Sequence, residues 1–149
     1  MSIEQDIKQE KFGNEYDKAA VNILFTGSWL SHINSIRLKK YGITPEQYNV
    51  LRILRGSHPR SLMLAEVTAR MIDKSSNCTR LVEKLRQKGY LKREVCENSR
   101  RQVDITILDR GLALLKKVDA ETESWLNTLK NITKSEAQEL NRILDKLRG

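Results

Sequence analysis

The segment IDKSSNCTRLVEKLRQKGYLKREVCENSRRQVDITI, residues 72–107, contains one helical pattern followed by two strand patterns. In the helical part, apolar residues recur at i, i+3, i+4 and i+7, at Cys78, Leu81, Val82 and Leu85. The opposite face is polar and is expected to point outward; it carries Ser76, Asn77, Thr79, Arg80, Lys84 and Gln87. We therefore predict a helix that packs through one face, begins after a cap at Asp73 and ends at Gly89.

A β-hairpin is predicted after this helix. Leu91 and Val95 share one face of a first strand, and the second strand alternates apolar with polar residues from 102 to 107, with Val103, Ile105 and Ile107 inward. The tip between the strands, residues 96–101, contains Asn98 and Ser99 for a turn and ends on Arg100 and Arg101. A helix followed by a hairpin with a basic tip is typical of a winged helix.

Positive charge is concentrated in the same segment. Residues 74–102 contain nine Lys or Arg and three Asp or Glu, a surplus of six out of a whole-chain formal charge of +8. Such a field suits a polyanion, although a charge run on a helix can also be a solvated face. The small polar residues Ser76, Asn77 and Thr79 at the start of the outer face favour a binding surface over a merely soluble one.

Length and composition indicate a single helix-rich domain, residues 1–149. The chain is 39% hydrophobic and 31% charged, and its apolar runs are far shorter than the roughly 18 residues of a membrane span. The polar N-terminus has no secretory signal, so we expect a cytoplasmic protein. Cys78 and Cys96 lack the spacing of a zinc site or a redox motif, which predicts reduced thiols, with Cys78 in the core.

Three helices are predicted before the segment. Asn14 can cap a long helix that ends near residue 41 or 42, with a wide apolar face at Val21, Phe25, Trp29, Ile33 and Ile36. Thr44, Pro45 and Gln47 form a capping box for a second helix, which Gly56 and His58-Pro59 end. Ser61 is the predicted cap of a third helix, joined by a very tight turn to the helix after Asp73. This order predicts a helix-turn-helix.

Two helices are predicted after the hairpin. Asp109 can cap the first, in which Gly111 is an early weak point, and its coiled-coil-like seam contains Leu115, Val118, Thr122, Trp125, Leu129 and Ile132. Thr133 and Glu136 form a capping box for the second. The terminal apolar faces exceed what one small domain can cover, so we expect residues 14–42 and 109–148 to form a homodimer around a winged-helix lobe at 44–107. Alternatively, the two ends pack on their own domain.

The order of elements resembles the MarR family of bacterial transcriptional regulators. Residues 76–93, SNCTRLVEKLRQKGYLKR, are similar to the family's recognition helix, and residues 99–111, SRRQVDITILDRG, to its wing. The resemblance implies a homodimer that presents two winged helices to a pseudo-palindromic operator on double-stranded DNA, with an effector cavity between the dimer core and each lobe. Ser99 replaces the acid of the family's usual wing pattern, and the early cysteine of its peroxide-sensing branch is absent.

These features predict a DNA-binding regulator, with repression the more common outcome in the family. Expected DNA contacts come from the recognition helix, at Ser76, Asn77, Thr79, Arg80 and Lys84, and from the wing, at Arg100 and Arg101. The helix is expected to read bases and the wing to contact phosphates or a narrow minor groove. A winged helix that binds protein is the alternative, and salt dependence separates the two.

An enzyme is not expected, because His32 and His58 are isolated and the sequence has no catalytic, cofactor-binding or metal-ligand pattern. The expected effector is a small aromatic or lipophilic compound. Trp29, Tyr41 and Tyr48 could line its pocket, but at helical spacing they are equally typical of a core.

Overall fold

The computed structural model describes residues 1–99 and 102–149. Its helices are α1 (Ile3–Ile7), α2 (Glu15–Lys39), α3 (Pro45–Ser57), α4 (Leu64–Arg70), α5 (Cys78–Gln87), α6 (Asp109–Asp119), α7 (Thr122–Asn127) and α8 (Lys134–Arg148). Its strands are β1 (Leu62–Met63), β2 (Leu91–Cys96) and β3 (Ser99–Ile107). The predicted fold class, a mainly helical winged helix-turn-helix with a small β part, is confirmed.

The core lies between α3, α4, α5, α6 and the sheet. Each element contributes side chains that are almost wholly buried, because its apolar residues recur on one face. They include Val50, Leu51 and Leu54 of α3, Val67 of α4, Val82 and Leu85 of α5, Ile105 and Ile107 of β3, and Leu115 and Val118 of α6. This shared core fixes α5 against α3 and leaves its other face free.

The sheet is antiparallel with strand order β1-β3-β2. Leu91 pairs with Ile107, and the register shifts after Val95, where the hairpin turns at residues 97–98. Ile105 and Ile107 are buried, as predicted for the inward face of β3, and Val103, the third residue predicted to face inward, is half-buried against the core. Strand β1 was not predicted. It is only two residues long, and it is a strand because Leu62 pairs with Ile105 of β3.

The pairing of β1 also changes the start of α4. Ser61 is not its cap, as the sequence suggested, because residues 62–63 are extended. Instead α4 begins at Leu64, and the Glu66 carboxylate accepts a hydrogen bond from the Met63 N–H at 2.9 Å. That bond lowers the pKa of the Glu66 carboxyl below its ordinary value.

The joint between α4 and α5 is a seven-residue loop, residues 71–77, so the predicted very tight turn is wrong. Asp73 does not cap α5, because its carboxylate accepts hydrogen bonds from the N–H and hydroxyl of Ser75 at 2.9 and 2.6 Å. The cap is Asn77, whose Oδ1 accepts from the Arg80 N–H at 3.1 Å. Gly89 follows α5 with φ of 76°, as expected of the residue that ends a helix.

The N-caps predicted for α2 and α8 are correct, but the long helix predicted after the hairpin is divided into α6 and α7. Asn14 accepts from two backbone N–H groups at the start of α2, and the capping boxes at Thr44 and Thr133 are both formed. The prediction of one continuous helical seam from Leu115 to Ile132 is wrong, because α6 ends at Asp119 and α7 ends at Asn127. Residues 127–133, NTLKNIT, are rich in weak helix formers, and little packing of their own side chains compensates.

Smaller differences occur at the other helix starts. Leu108, not Asp109, is the N-cap position of α6, so Asp109 is its first helical residue. The short α1 was not predicted, because it lies in a polar lead and buries only Ile3. Among the described residues, no helix combines the length and apolar character needed to cross a membrane.

Candidate nucleic-acid interface

The outer face of α5 is exposed because its inner face is committed to the core. Cys78, Val82 and Leu85 are buried, which confirms the amphipathic pattern. Asn77, Thr79, Arg80, Lys84 and Gln87 line a shallow groove along the outer side of the helix. Four of the five predicted recognition-helix residues therefore lie together on the solvent side, Ser76 being the exception.

Ser76 differs from its expected position. Its side chain is half-buried, and its hydroxyl oxygen is enclosed without a hydrogen-bond partner among the described residues. The reason is that Ser76 precedes the cap of α5 and belongs to the loop, which lies beside the start of α3 near Thr44 and Gln47. The prediction that Ser76 points outward is therefore wrong.

One acidic residue lies within the same face and was not singled out from the sequence. The Glu83 carboxylate accepts from Arg86 Nε and Nη2 at 2.9 and 2.7 Å, and from Gln87 Nε2 at 3.3 Å. The Arg86 guanidinium lowers the pKa of the Glu83 carboxyl and keeps it ionised. Because Glu83 and Arg86 offset one another, the net positive charge of this face rests on Arg80 and Lys84. The i, i+3 spacing of Glu83 and Arg86 in the sequence could have predicted this ion pair.

The wing is the β2–β3 hairpin. β2 exposes its middle residues, including Lys92 and Arg93, and Lys92 Nζ lies 3.2 Å from the Glu94 carboxylate. Arg93 is a further exposed cation on β2. The sequence analysis included it in the local positive charge but did not name it as a DNA contact. The predicted wing contacts, Arg100 and Arg101, lie outside the described residues.

A cavity of about 560 Å³ lies between α2, α3, α7 and the loop before α5. The Arg37 guanidinium lies 4.8 Å from the centroid of the Trp125 ring and 5.5 Å from that of Tyr48, and its Nη2 donates to Tyr48 Oη at 3.4 Å. Arg52 lies 5.7 Å from the Tyr48 centroid. The Nε of Arg37 is enclosed and has no hydrogen-bond partner among the described residues.

This cavity was only partly anticipated. Of the three aromatic candidates, Tyr48 lines it, whereas Tyr41 donates to the Lys117 carbonyl at 3.4 Å and Trp29 is 42% exposed on α2. Sequence reasoning missed Arg37, although an arginine beside Ile33 and Ile36 on an otherwise apolar helix face is an unusual placement. Within the described residues, no group of three potential metal-ligating side chains is present.

Residues 41–102, which include α3, α4, α5 and β2, match the sequence model of the MarR family. The chain is similar to the HTH-type transcriptional regulator PecS of Dickeya dadantii, with 26% identity over 110 residues, 72% of this chain and 66% of PecS. It is also similar to the transcriptional repressor MprA of Escherichia coli, with 24% identity over 111 residues, 74% of this chain and 63% of MprA. The match thus spans slightly less than two thirds of the length of these relatives.

Solved structures share the fold. A MarR-like transcription regulator from Bacillus cereus superposes with a TM-score of 0.80 at 21% identity, covering 90% of this chain and 96% of the other. The structure of Staphylococcus aureus MepR in complex with DNA gives 0.76 at 17% identity, covering 92% and 97%. The predicted resemblance to the MarR family is confirmed. These relatives are regulators rather than enzymes, in agreement with the prediction that the chain is not an enzyme.

Proposed function

We propose that the chain is a sequence-specific DNA-binding transcriptional regulator, because residues 41–102 match the MarR family. It acts as a homodimer on a pseudo-palindromic operator, represses transcription there, and is released by a small-molecule effector. The observation that carries this proposal is the outer face of α5, where Thr79, Arg80 and Lys84 lie on the solvent side while Val82 and Leu85 anchor the helix in the core. In a helix-turn-helix the second helix enters the major groove.

Unburied apolar side chains support the homodimer. Leu24 on α2 is 74% exposed, and Leu147 on α8 is 66% exposed. Further large apolar residues on the terminal elements are at least a third exposed: Phe25, Trp29, Ile36, Leu126, Leu129, Ile132, Leu140 and Ile143. A surface of this kind on both ends of one chain fits a two-fold interface, in which each copy covers the other.

The cavity beside Trp125 supports an effector. Arg37 and Arg52 line it together with the aromatic rings of Tyr48 and Trp125. Three carboxylates, of Glu46, Asp73 and Asp119, line it as well, and Asp119 is paired with Arg55 at 2.6 Å. Because Arg37 and Arg52 lie 5.5 and 5.7 Å from the centroid of the Tyr48 ring, a small aromatic acid that stacks on this ring can pair its carboxylate with an arginine. A panel of benzoate, 1-naphthoate and their neutral amides tests this: the carboxylates should weaken operator binding and the amides should not. Equal effects of acid and amide, or none from either, would contradict it.

The salt dependence of DNA binding tests the function itself. Arg101→Ala should weaken binding to operator and to random DNA alike, and flatten the plot of log affinity against log salt by about one unit for each phosphate that the arginine neutralises. The operator is obtained by footprinting the DNA around the chain's own gene. A salt-independent interaction, or no footprint together with capture of a protein through the outer face of α5, would favour the protein-binding alternative.

A further inference from the structure

A side chain of α3 forms a hydrogen bond with the loop between α4 and α5. The Ile72 N–H donates a hydrogen bond to Asn49 Oδ1 at 2.9 Å, and Asn49 is a half-buried residue of α3. This bond joins the middle of the helix-turn-helix to the helix that carries most of the core. It was not foreseen from the sequence.

The other hydrogen bonds of the loop stay local. Asp73 bonds Ser75, the Ser76 N–H donates to the Asp73 carbonyl at 3.2 Å, and Lys74 Nζ donates to the Ala69 carbonyl of α4 at 2.5 Å. Among the described residues, the Asn49–Ile72 bond is thus the one hydrogen bond between this loop and α3. The bonds within the loop shape it, and the Lys74 bond ties it to α4, so the Asn49 bond is the one that ties it to α3.

Apolar packing adds little restraint at the same place. The Ile72 side chain is 87% exposed, although Met71 before it is buried. An isoleucine that stays in solvent contributes almost none of the free energy that its burial would supply. Between the buried Met71 and the half-buried Ser76, the contact with Asn49 is therefore the hydrogen bond that ties the chain to α3.

This contact lies at the edge of the cavity. Asn49, Ile72 and Asp73 line it, as do Arg37 and Trp125. A molecule bound in the cavity can therefore contact Asn49 and Ile72, and Ile72 lies six residues before Cys78, the first residue of α5.

We propose that Asn49 is a positioning residue, which holds the loop so that α5 starts in its DNA-binding position, and that occupancy of the cavity acts on DNA binding through the Asn49–Ile72 hydrogen bond. The proposal rests on the proposed DNA-binding function. Asn49 and Ile72 link the cavity to the DNA-binding face of α5. Such a link requires that the loop between α4 and α5 has two positions, and that a ligand in the cavity and DNA each favour one of them.

The experiment compares Asn49→Ala with Asn49→Asp in the full-length protein. Asn49→Ala removes the acceptor, so amide hydrogen exchange at Ile72 should become at least roughly tenfold faster, and operator affinity should fall roughly two- to tenfold per protomer, the range expected for one neutral hydrogen bond. The salt dependence should not change, because Asn49 neutralises no phosphate. Asn49→Asp keeps an acceptor in the same place and should keep both the slow exchange and the affinity within about twofold of wild type.

Two results would overturn the proposal. In the first, Asn49→Ala leaves exchange at Ile72 unchanged; in the second, it speeds exchange but binds operator like the wild type. In both, wild-type binding stands and only the role of Asn49 falls. If the wild type itself does not distinguish operator from random DNA, the proposed function fails, and this inference fails with it.

Discussion

Asn77 shows how one residue can serve both the fold and the interface. Its Oδ1 accepts from the Arg80 N–H and so caps α5, while the side chain also lines the groove on the outer face. The sequence led us to expect a base contact there, and that contact stays a prediction. The structure adds the cap, so a simple Asn77→Ala experiment would mix two effects.

A pair of variants separates them. Asn77→Ala should lower the free energy of unfolding by about 0.5–2 kcal/mol, because the cap is removed. Asn77→Ser keeps a capping oxygen but has no amide, so its stability should match the wild type while discrimination for the operator falls by roughly 1–3 kcal/mol. The measurements are urea unfolding at fixed protein concentration and affinity for operator and random DNA. Wild-type discrimination in Asn77→Ser would show that the amide reads no base.

At the scale of elements, features set by neighbouring residues could be predicted from the sequence, and features set by tertiary pairing could not. The caps at Asn14, Thr44 and Thr133 were correct, because a cap needs only residues within one turn of each other. The strand β1 and the start of α4 were missed, because Leu62 becomes extended only by pairing with Ile105 in a distant part of the sequence. Burial of α5's inner face was correct, whereas the cap of that helix was misassigned because two nearby side chains, at 73 and 77, could each cap a helix.

Gly111 is an element-scale feature with a different meaning from the one the sequence suggested. The sequence indicates a weak point in α6, yet a Cβ there would lie 2.4 Å from the Tyr90 carbonyl oxygen and 2.8 Å from Ile107 Cγ1. The missing side chain therefore lets α6 pack closely against the base of the wing. This contact sets where the hairpin leaves the core.

Gly111→Ala should consequently be destabilising, by about 1–3 kcal/mol, since backbone must move to admit the methyl group. Gly56→Ala is the matched control, because Gly56 is also helical and has nothing within 4 Å of its would-be Cβ. That substitution should be neutral or stabilising by up to about 1 kcal/mol, as expected for glycine replaced by alanine in a helix. Equal urea midpoints for the two variants would contradict the close-packing role of Gly111.

At the scale of the whole molecule, the described chain places its core in the winged-helix lobe and leaves its ends incompletely buried. The expected seam does not exist as one helix, and Trp125, a member of that seam, lies against Arg37 in the cavity. Leu140 and Leu147 of α8, 47% and 66% exposed, share one face of the helix and are the clearest candidates for a dimer contact. Changing them to glutamate should leave the lobe folded and prevent dimerisation.

The most direct test is selection of binding sites from a random-sequence DNA pool by the wild-type chain and by the Leu140→Glu, Leu147→Glu variant. The wild type should enrich a two-fold-symmetric sequence whose half-sites are about one helical turn, or a multiple of it, apart. The variant, monomeric by light scattering, should enrich at most a single half-site, because each monomer presents one copy of α5. Enrichment of no sequence by the wild type, or the same symmetric sequence from a monomeric variant, would contradict the account.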